Sequence, residues 1–412
     1  MPLQSRLNPR VLDSISRLIS PIDLDKFAAD YWEREHLYVD RHDPDYYSSL
    51  ISIDEIDDLL NGVYSTLTPA YSYIRLGQSG ELLPPSDYTT DATGTSDRSA
   101  ELKLDAVFSH YHRGGTIILQ RIHQFSSAIA RLCRHLQLYF GFVSQANAYL
   151  TPPESQGFSA HFDTHDVFVV QITGSKKWRI YNTVVPFASP GTVNQVEHRK
   201  QYELTREVTV SAGDLLYIPR GLVHEAATSN DESLHLTLGV NPYTLADVIK
   251  EAVDSALKHC EPLRRNVSSR FLDGNLDKSK VSEAFLTAVN CLSDSIMCDV
   301  IDGKLARSFD TLKPLLPGQL AQVALATRLN NESIVALRDT VKCRLEVAED
   351  GLNLSFHGKS LDLPRFVQME LQQLLTGEDF QVKDLVGELS DNGRLVLVRR
   401  LVQEGFIEIR PQ

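Results

Sequence analysis

Short runs in which apolar and polar residues alternate fill the middle of the chain. In KKWRIY the alternation places Lys176, Trp178 and Ile180 on one face and charged or polar side chains on the other. Successive side chains of a strand point to opposite faces of its sheet, so this run predicts a strand with one buried face. Further short runs, either alternating or rich in strand-forming residues, predict that residues 106–244 form one unit built mainly from short strands: GTIILQ, FVVQIT, TREVTV, DLLYIP and SLHLTLGV.

The region before this unit, residues 1–105, is predicted to be a helical lead-in that ends in a loop. Pro21 and Asp23 can begin a helix, and LYVDR at 37–41 is typical of a short strand. The apolar face of that helix would carry Leu24, Phe27, Ala28 and Tyr31. Residues 77–103 are rich in Gly, Ser, Thr, Asp and Pro and lack periodicity, which predicts a long loop. Such a loop lies either at the mouth of a functional site or on an inert part of the surface.

From Thr244 the apolar positions follow a helical period instead. LADVIKEAVDSALKHC places Val248, Ala252 and Val253 on one stripe. KVSEAFLTAVNCL and QLAQVALATRL repeat the amphipathic pattern. The pattern predicts a helical domain over residues 245–335, whose apolar stripes pack either within the chain or against a second copy.

A last domain is predicted over residues 336–412. CRLEVAEDGLNLSF carries an Asp350-Gly351 turn between two alternating runs, which is typical of a β-hairpin. A helix is expected to begin at Asp391 and to end at Gly405, with the strand FIEI after it. This order of helices and paired strands is the outline of a winged helix.

A winged helix commonly contacts DNA through its third helix. Arg394, Arg399 and Arg400 lie on the corresponding helix here. However, acidic residues outnumber basic ones across this domain, and the same helix must bury several apolar side chains. We therefore favour a structural or protein-contacting role over a DNA reader.

Composition adds limits on partners. The chain has 412 residues, of which 42% are apolar and 23% charged, and its formal net charge is −13. The length favours two or three domains of ordinary globular composition. The negative charge argues against a general affinity for nucleic acid, because phosphate rewards clustered Lys and Arg. It permits a basic protein partner, and it serves equally well to keep the protein soluble.

Signals for export and membrane insertion are not apparent in the sequence. No run of about 18 apolar residues occurs, and the N-terminus MPLQSRLNPR lacks the apolar segment of a secretory signal. We expect a cytoplasmic protein without a membrane partner. Five cysteines lack C-x-x-C spacing and are expected to be reduced thiols: Cys133, Cys260, Cys291, Cys298 and Cys343.

The candidate chemistry lies in an H-x-D pair, His161 and Asp163, and in His224, which follows DLLYIP. Two histidines and one carboxylate on one face of a small barrel are the ligand set of non-haem Fe(II) oxygenases, which leave open positions for oxygen and a co-substrate. An H-x-D pair alone is more often an ordinary polar contact. The G-x5-P-x-G-x2-H spacing that ends at His224 matches the second half of the metal signature of cupin barrels, and favours metal binding.

Lys176 is a second candidate. If Trp178 and Ile180 fill the barrel, Lys176 must also point inward, and a buried ammonium needs an anion. A dicarboxylate co-substrate would supply one. Alternatively, Lys176 lies at the start of its strand and extends its side chain to solvent.

Several pieces together resemble one family, the JmjC-type ribosomal oxygenases, which are 2-oxoglutarate-dependent protein hydroxylases. The matching pieces are NAYLTPP, SQGF, HFD, the Q-x2-G-x-K-x-W strand pair, GDLLYIPRG-x2-H and SLHLTL. The resemblance implies an α+β fold with a double-stranded β-helix, the cupin or JmjC jelly-roll barrel. Flanking helices, a helical dimerisation segment and a C-terminal winged-helix domain would accompany it.

The resemblance also implies roles for individual residues. His161, Asp163 and His224 would hold Fe(II), and Lys176 would bind the distal carboxylate of 2-oxoglutarate. Residues at the start of the barrel, Asn147 and Tyr149, would line the same pocket. His165 and His235 are interpreted as neighbours of the site rather than ligands. At Gly239 the human members carry a serine, so the family's substrate preference does not transfer directly.

The function implied is Fe(II)- and 2-oxoglutarate-dependent hydroxylation by O2 of a side chain in a protein or peptide. The family default is a histidine or arginine of a ribosomal protein, with the enzyme acting as a homodimer. Three alternatives stay open at this point: hydroxylation of another peptide such as a biosynthetic precursor, JmjC-type demethylation, and a non-enzymatic metal-binding cupin that acts as a regulator.

Overall fold

The computed structural model describes residues 3–4, 7–90, 100–190, 202–258, 260–265, 278–290, 299–301, 303, 312–348 and 351–410. Its contacts divide the chain into two compact units. The barrel unit consists of residues 7–242 and 315–319. The C-terminal unit consists of residues 1–6, 243–314 and 320–412.

The strands are β1 Leu3–Gln4, β2 Leu37–Val39, β3 Ile74–Gln78, β4 Glu81–Leu82, β5 Thr116–Leu119, β6 Ser144–Thr151, β7 Asp166–Thr173, β8 Ser175–Thr183, β9 Leu204–Ser211, β10 Leu215–Ile218, β11 Leu222–Ala227, β12 Ser233–Val240, β13 Ile334–Leu337, β14 Cys343–Val347, β15 Leu352–Phe356, β16 Lys359–Leu363, β17 Phe380–Gln381 and β18 Ile407–Ile409. The α-helices are α1 Pro9–Ile19, α2 Leu24–Lys26, α3 Ile53–Asn61, α4 Leu104–His112, α5 Ser127–Phe140, α6 Leu245–Ala256, α7 Lys278–Asn290, α8 Gln319–Ala326, α9 Gln368–Leu374 and α10 Asp391–Gln403.

Two antiparallel sheets form the barrel. The larger sheet has eight strands in the order β2-β10-β7-β12-β6-β5-β3-β4, and the smaller has three in the order β11-β8-β9. Val167 and Val169 of β7 share one apolar cluster with Trp178 and Ile180 of β8, so the two sheets enclose a common core. The strands predicted from alternation are therefore present, and they pair as a two-sheet barrel.

Helical segments cover the outer face of the larger sheet. Phe168 and Val170 of β7 belong to a second cluster together with Phe27 and with Leu136 of α5. Strand β7 is thus buried on both faces, which explains why its residues Val167–Val170 form a continuous apolar run without alternation.

The N-terminal region confirms some predictions and adds elements that were missed. The Asp23 side chain accepts a hydrogen bond from the Lys26 N–H at 2.7 Å and begins the predicted helix, which continues as a π-helix over Phe27–Tyr31. The predicted strand at 37–41 is β2. Helices α1 and α3 lie within the predicted helical lead-in, but their bounds were not assigned from the sequence.

The predicted loop over 77–103 was wrong at its N-terminal end. It begins inside the β3–β4 hairpin, and residues 91–99 lie outside the described residues. The hairpin turn reaches the chain before His161, since the Ser159 N–H donates to the Gly80 carbonyl at 2.9 Å. The described part of this segment therefore supports the part of the barrel that precedes His161.

The cysteine prediction needs one correction. Cys133 and Cys343 are buried and form no disulfide, as expected, whereas Cys260 is disulfide-bonded. The spacing of the cysteines in the sequence does not indicate such a bond, and Cys291 and Cys298 lie outside the described residues.

The C-terminal unit contains two antiparallel sheets of its own. One has the order β1-β14-β15-β16 and includes the predicted hairpin, and the other has the order β17-β13-β18. Helix α10 begins at Asp391, capped by the Ser390 side chain, and buries Val398 and Leu401 against the strands. Among the described helices of either unit, none combines the length and the apolar character that crossing a lipid bilayer requires.

Gly174, in the turn between β7 and β8, is expected to be indispensable for this fold. Its φ is +62°, and a Cβ added there would lie 1.8 Å from the Glu232 carbonyl oxygen. We expect Gly174→Ala to lower the free energy of unfolding by about 3 kcal/mol or more. Gly141→Ala is the matched control, because Gly141 has a φ of +78° but open space around it. Its loss should be about 1–2 kcal/mol. Equal losses in urea denaturation would contradict this packing.

Candidate metal centre

His161, Asp163 and His224 converge at one end of the barrel interior. The His161 N–H donates to the His224 carbonyl at 3.0 Å, and the His224 N–H donates back to the His161 carbonyl at 2.8 Å. Asp163 follows two residues after His161, and its carbonyl accepts from the Gly221 N–H at 2.9 Å. These bonds tie the H-x-D segment to the turn before β11. One potential ligand atom from each of the three side chains lies within 4.8 Å of the others.

Backbone carbonyls orient both imidazoles. His161 Nδ1 lies 2.8 Å from the Ser159 carbonyl, and His224 Nδ1 lies 3.0 Å from the Leu222 carbonyl. A carbonyl can only accept, so Nδ1 carries the proton in each ring and Nε2 keeps its lone pair. This arrangement is the usual support of a metal-ligating histidine.

The ionisation states also suit metal ligands. Burial lowers the pKa of His224 to about 4, and the neighbouring His161 charge lowers it further than the Asp163 carboxylate raises it. His224 is therefore neutral near pH 7. Burial alone would raise the pKa of Asp163, but the positive charges of His161, His224 and His165 outweigh it and leave that pKa below its ordinary value. Near pH 7 His224 is therefore a neutral imidazole and Asp163 a carboxylate.

A cavity that is partly open to solvent extends from these three side chains. It is lined by Thr116, Tyr149, Gly157, Phe158, His161, Asp163, Val167, Val169, Lys176, Trp178, His224, Glu225, Ala226, His235 and Thr237. Five of the six residues predicted for the site thus share one cavity.

Lys176 points into this cavity, which is the inward one of the two positions that the sequence left open, and is only 4% exposed. Its Nζ donates to Thr151 Oγ1 at 2.7 Å, and Thr151 Oγ1 lies 3.1 Å from Thr116 Oγ1. Within the part of the chain that the structure describes, no carboxylate forms an ion pair with this ammonium. Burial lowers its pKa to about 7. An anion bound in the cavity would supply the missing counter-charge.

His235 is a second polar group in this part of the cavity. Its ring stacks on Tyr149 with centroids 4.8 Å apart and an interplanar angle of 4°. Its Nδ1 is buried and has no hydrogen-bond partner among the described residues. Burial, followed by the charge of Lys176, lowers the pKa of His235 well below its usual value. The neutral ring therefore has a hydrogen-bonding nitrogen to offer a ligand.

Tyr149 and Asn147 differ in position. Tyr149 lines the cavity, and burial raises the pKa of its hydroxyl to about 12 while hydrogen bonds with Thr237 and Asn147 lower it. Asn147 is absent from the cavity lining, and its Oδ1 accepts from the Arg121 N–H at 3.0 Å. Asn147 therefore does not line the cavity itself but forms a hydrogen bond with Tyr149, which does.

A buried network behind the centre was missed from the sequence. Tyr217 donates to Asp166 Oδ1 at 2.7 Å and accepts from the Glu33 N–H at 2.9 Å. Arg220 in the turn before β11 pairs with Glu33 at 2.6 Å. Burial raises the pKa of Asp166 to about 6. The network connects Glu33 to the turn before β11, the strand that carries His224. Its members lie too far apart in the sequence for the network to be predicted from it.

The fold and the centre define a JmjC-type barrel with a two-histidine, one-carboxylate site. The family model of the JmjC domain matches residues 118–248 of this chain. The chain is also similar in fold to the Escherichia coli ribosomal oxygenase YcfD, solved in complex with cobalt and 2-oxoglutarate. The TM-score is 0.51 at 15% identity, with 95% of this chain and 99% of that chain covered.

Among the curated relatives is the bifunctional lysine-specific demethylase and histidyl-hydroxylase NO66. The Drosophila persimilis protein is 34% identical over 265 residues, which cover 60% of this chain and 35% of that protein. The Dictyostelium discoideum protein is 33% identical over 253 residues, which cover 59% of this chain and 46% of that protein. The matches to the first two relatives span little more than a third of those proteins. The chain thus contains a segment that matches the JmjC domain and is similar to these relatives over that part, in line with the resemblance of its motifs.

The lowered pKa of Lys176 makes stability depend on pH. Its pKa falls from 10.5 in the unfolded chain to about 7 in the folded one. Between these values the unfolded chain binds one proton more, so Lys176 makes stability rise with pH across that window and contributes no slope below it. Lys176→Met, measured without metal or keto acid, lacks this contribution and should be more stable than the wild type near pH 7. The difference between their free energies of unfolding should shrink by roughly 1.4 kcal/mol per pH unit above about pH 7.5.

Lys177→Met is the control, because Lys177 is exposed on the opposite face of β8 and pairs with Glu207. Its stability should follow the pH dependence of the wild type. Urea denaturation at several pH values measures all three proteins. If the free energies of unfolding of Lys176→Met and the wild type changed with pH in parallel, the ammonium would be either exposed or paired with a counterion.

Proposed function

We propose that this protein is an Fe(II)- and 2-oxoglutarate-dependent oxygenase that hydroxylates a side chain of a protein substrate. The observation that carries the proposal is the combination of three metal-ligand side chains with a buried, unpaired ammonium in one cavity. A metal site alone would not require Lys176 to be buried. A dicarboxylate that reaches from the metal to Lys176 accounts for both features.

The residues present fit the proposed metal. Each histidine directs an unprotonated Nε2 into the cavity, and Asp163 adds one carboxylate. When bound, Fe(II) would supply the redox chemistry by which one O2 is divided between the two substrates: R–H, 2-oxoglutarate and O2 give R–OH, succinate and CO2. The protein's own task is to bind, orient and shield the reactants.

Lys176 would hold the distal carboxylate of 2-oxoglutarate, with the Thr151 and Thr116 hydroxyls beside it. His235 lies close enough to Lys176 to share this polar end. Val167, Val169 and Trp178 form the apolar wall, which limits the access of water. Tyr149 stacks on His235 and would keep that ring in place, while Asn147 would orient the Tyr149 hydroxyl.

For the substrate we propose a histidine or arginine side chain of a ribosomal protein. The names of the relatives, a histidyl-hydroxylase and a ribosomal oxygenase, support this class, and the net charge of −13 would attract a basic protein. Demethylation of lysine, which the relatives' name also includes, requires the same hydroxylation of a C–H bond. The cytoplasmic location remains a prediction.

We further propose that helix α7 contributes to a homodimer. Its outward side chains include Phe285, Leu286 and Val289, which are 64%, 60% and 44% exposed. Three neighbouring apolar side chains on one exposed helix are costly in water and are typical of an interface.

The C-terminal sheet β17-β13-β18 with helices α8, α9 and α10 supports the winged-helix proposal. The arginines of α10 are engaged within the unit: Arg399 donates to the Ala326 carbonyl, Arg394 to the Lys383 carbonyl, and Arg400 pairs with Glu404. They are therefore poorly placed to meet phosphate, which favours a structural or protein-contacting role.

Anaerobic binding of Fe(II) and 2-oxoglutarate tests the proposed chemistry before any substrate is known. The ternary complex should show the weak visible charge-transfer band of a keto acid on Fe(II). His161→Ala should abolish the band. Lys176→Met should raise the Kd for 2-oxoglutarate by about 100-fold, because one charge-assisted contact is worth roughly 3 kcal/mol, while iron binding is retained. Lys177→Met is the control and should bind as the wild type does.

Two results would contradict the proposal. If the wild type binds Fe(II) but shows no band, the barrel is a metal-binding regulator rather than an oxygenase. If Lys176→Met and the wild type bind 2-oxoglutarate equally well, the anion does not reach this lysine.

A further inference from the structure

A small apolar cluster lies behind the metal-ligand side chains. Its three buried members are Phe162, Val223 and Ala188, which are 5%, 0% and 1% exposed. The core between the two sheets consists of other residues, so this cluster is a separate piece of packing. The partly buried side chains that pack around it are Ala160, Tyr181, Val184, Val185 and Tyr202.

Two members of the cluster are sequence neighbours of the ligands. Phe162 lies between His161 and Asp163, and Val223 directly precedes His224. Successive side chains of an extended segment point to opposite sides. The three ligands line the cavity, whereas Phe162 and Val223 do not. The two apolar side chains therefore pack on the far side of the backbone from the ligands and join the two segments that carry them.

Ala188 adds a third segment, the part of the chain that follows β8. A Cβ added to Gly221 would lie 2.0 Å from the Val185 carbonyl oxygen and 3.4 Å from the Ala188 nitrogen. This segment therefore packs closely on the turn before β11. The Gly221 N–H in turn donates to the Asp163 carbonyl at 2.9 Å. The cluster and this hydrogen bond thus hold the same pair of ligand segments.

Backbone pairing constrains the two ligand segments at few points. His161 and His224 form an isolated bridge rather than part of a continuous ladder. The pairing of β11 with β8 also shifts its register between Leu222 and His224, which is where Val223 lies. Such an irregularity leaves a residue out of the ladder and redirects the side chains beside it. The packing of Phe162 with Val223 therefore supplies a constraint that the hydrogen bonds do not.

We propose that Phe162 is a positioning residue of the metal centre. By packing with Val223 and Ala188 it holds the H-x-D segment against β11, so that the three ligand side chains keep their ligand atoms within 4.8 Å of one another. The inference rests on the metal binding that the proposed function requires. Without the ring the cluster loses its largest side chain, and the two segments can separate. The affinity for a divalent ion thus depends on a side chain that does not touch the ion.

Truncation of the ring tests this role. The metal-free protein is titrated with Mn(II), and the electron paramagnetic resonance signal of free Mn(II) gives the Kd. We expect Phe162→Ala to raise the Kd at least about tenfold, because residues that support the ligands of a metal typically change its affinity by ~10–100-fold. Phe162→Leu keeps most of the apolar volume and should restore most of the affinity. Val223→Ala shortens the same packing from the other segment and should also weaken binding.

Co(II) gives a second readout that a merely structural role would not move. The visible absorption of bound Co(II) reports on the arrangement of its ligands. At saturating Co(II), the spectrum of Phe162→Ala should differ from that of the wild type, and the spectrum of Phe162→Leu should resemble it.

Leu136→Ala is the matched control for lost stability. Leu136 of α5 is fully buried in the apolar cluster on the outer face of the larger sheet and does not line the cavity. Its truncation should lower the free energy of unfolding, as core truncations do, and leave the Kd for Mn(II) unchanged. Urea denaturation without metal identifies the conditions under which each variant is folded, and the Kd values are compared only there.

The outcomes are distinct. Weaker Mn(II) binding by folded Phe162→Ala, recovered in Phe162→Leu and absent from Leu136→Ala, supports the inference. An unchanged Kd for Phe162→Ala, or for Val223→Ala should Phe162→Ala fail to fold, overturns the role of Phe162 and leaves the proposed oxygenase intact. Equal weakening in Leu136→Ala also overturns it, because the effect then follows from lost stability. If the wild type binds no Mn(II), the proposed metal centre fails and the inference fails with it.

Discussion

A buried ammonium without a counterion in its own protein is the constraint around which the site is arranged. Lys176 lies on the inward face of β8 because Trp178 and Ile180, two and four residues later, must fill the core between the sheets. Its charge is costly there, and hydroxyl groups from Thr151 and Thr116 compensate only in part. The metal-ligand side chains share the same cavity, so one anionic ligand can satisfy the lysine and complete the metal's coordination.

The ligand geometry depends on backbone pairing as much as on side chains. The reciprocal bonds between His161 and His224 fix the two segments in register, and carbonyl groups fix the orientation of each ring. Support reaches this pair from two directions: the β3–β4 turn through Gly80 and Ser159, and the network of Glu33, Arg220 and Tyr217. Both supports come from the N-terminal region, which explains how residues outside the matched JmjC segment contribute to the centre.

Much of the centre could be predicted from the sequence, because its ligands lie in short motifs whose spacing reflects strand geometry. Alternation in β8 left Lys176 either inside the barrel or extended to solvent, and the family resemblance favoured the inward position. The shared cluster of Phe162 and Val223 could not be found in this way, since the two residues are 61 positions apart (223 − 162) and are brought together only by the pairing of His161 with His224. The position of Asn147 behind Tyr149, the start of the 77–103 segment in a hairpin and the disulfide of Cys260 likewise depend on three-dimensional pairing.

The most direct measurement is a crystal structure grown without oxygen in the presence of Mn(II) and 2-oxoglutarate. The account predicts one ion held by His161, Asp163 and His224, with the keto acid on the same ion and its far carboxylate about 3 Å from the Lys176 nitrogen. An ion bound elsewhere, or a keto acid whose far carboxylate points away from Lys176, would contradict it.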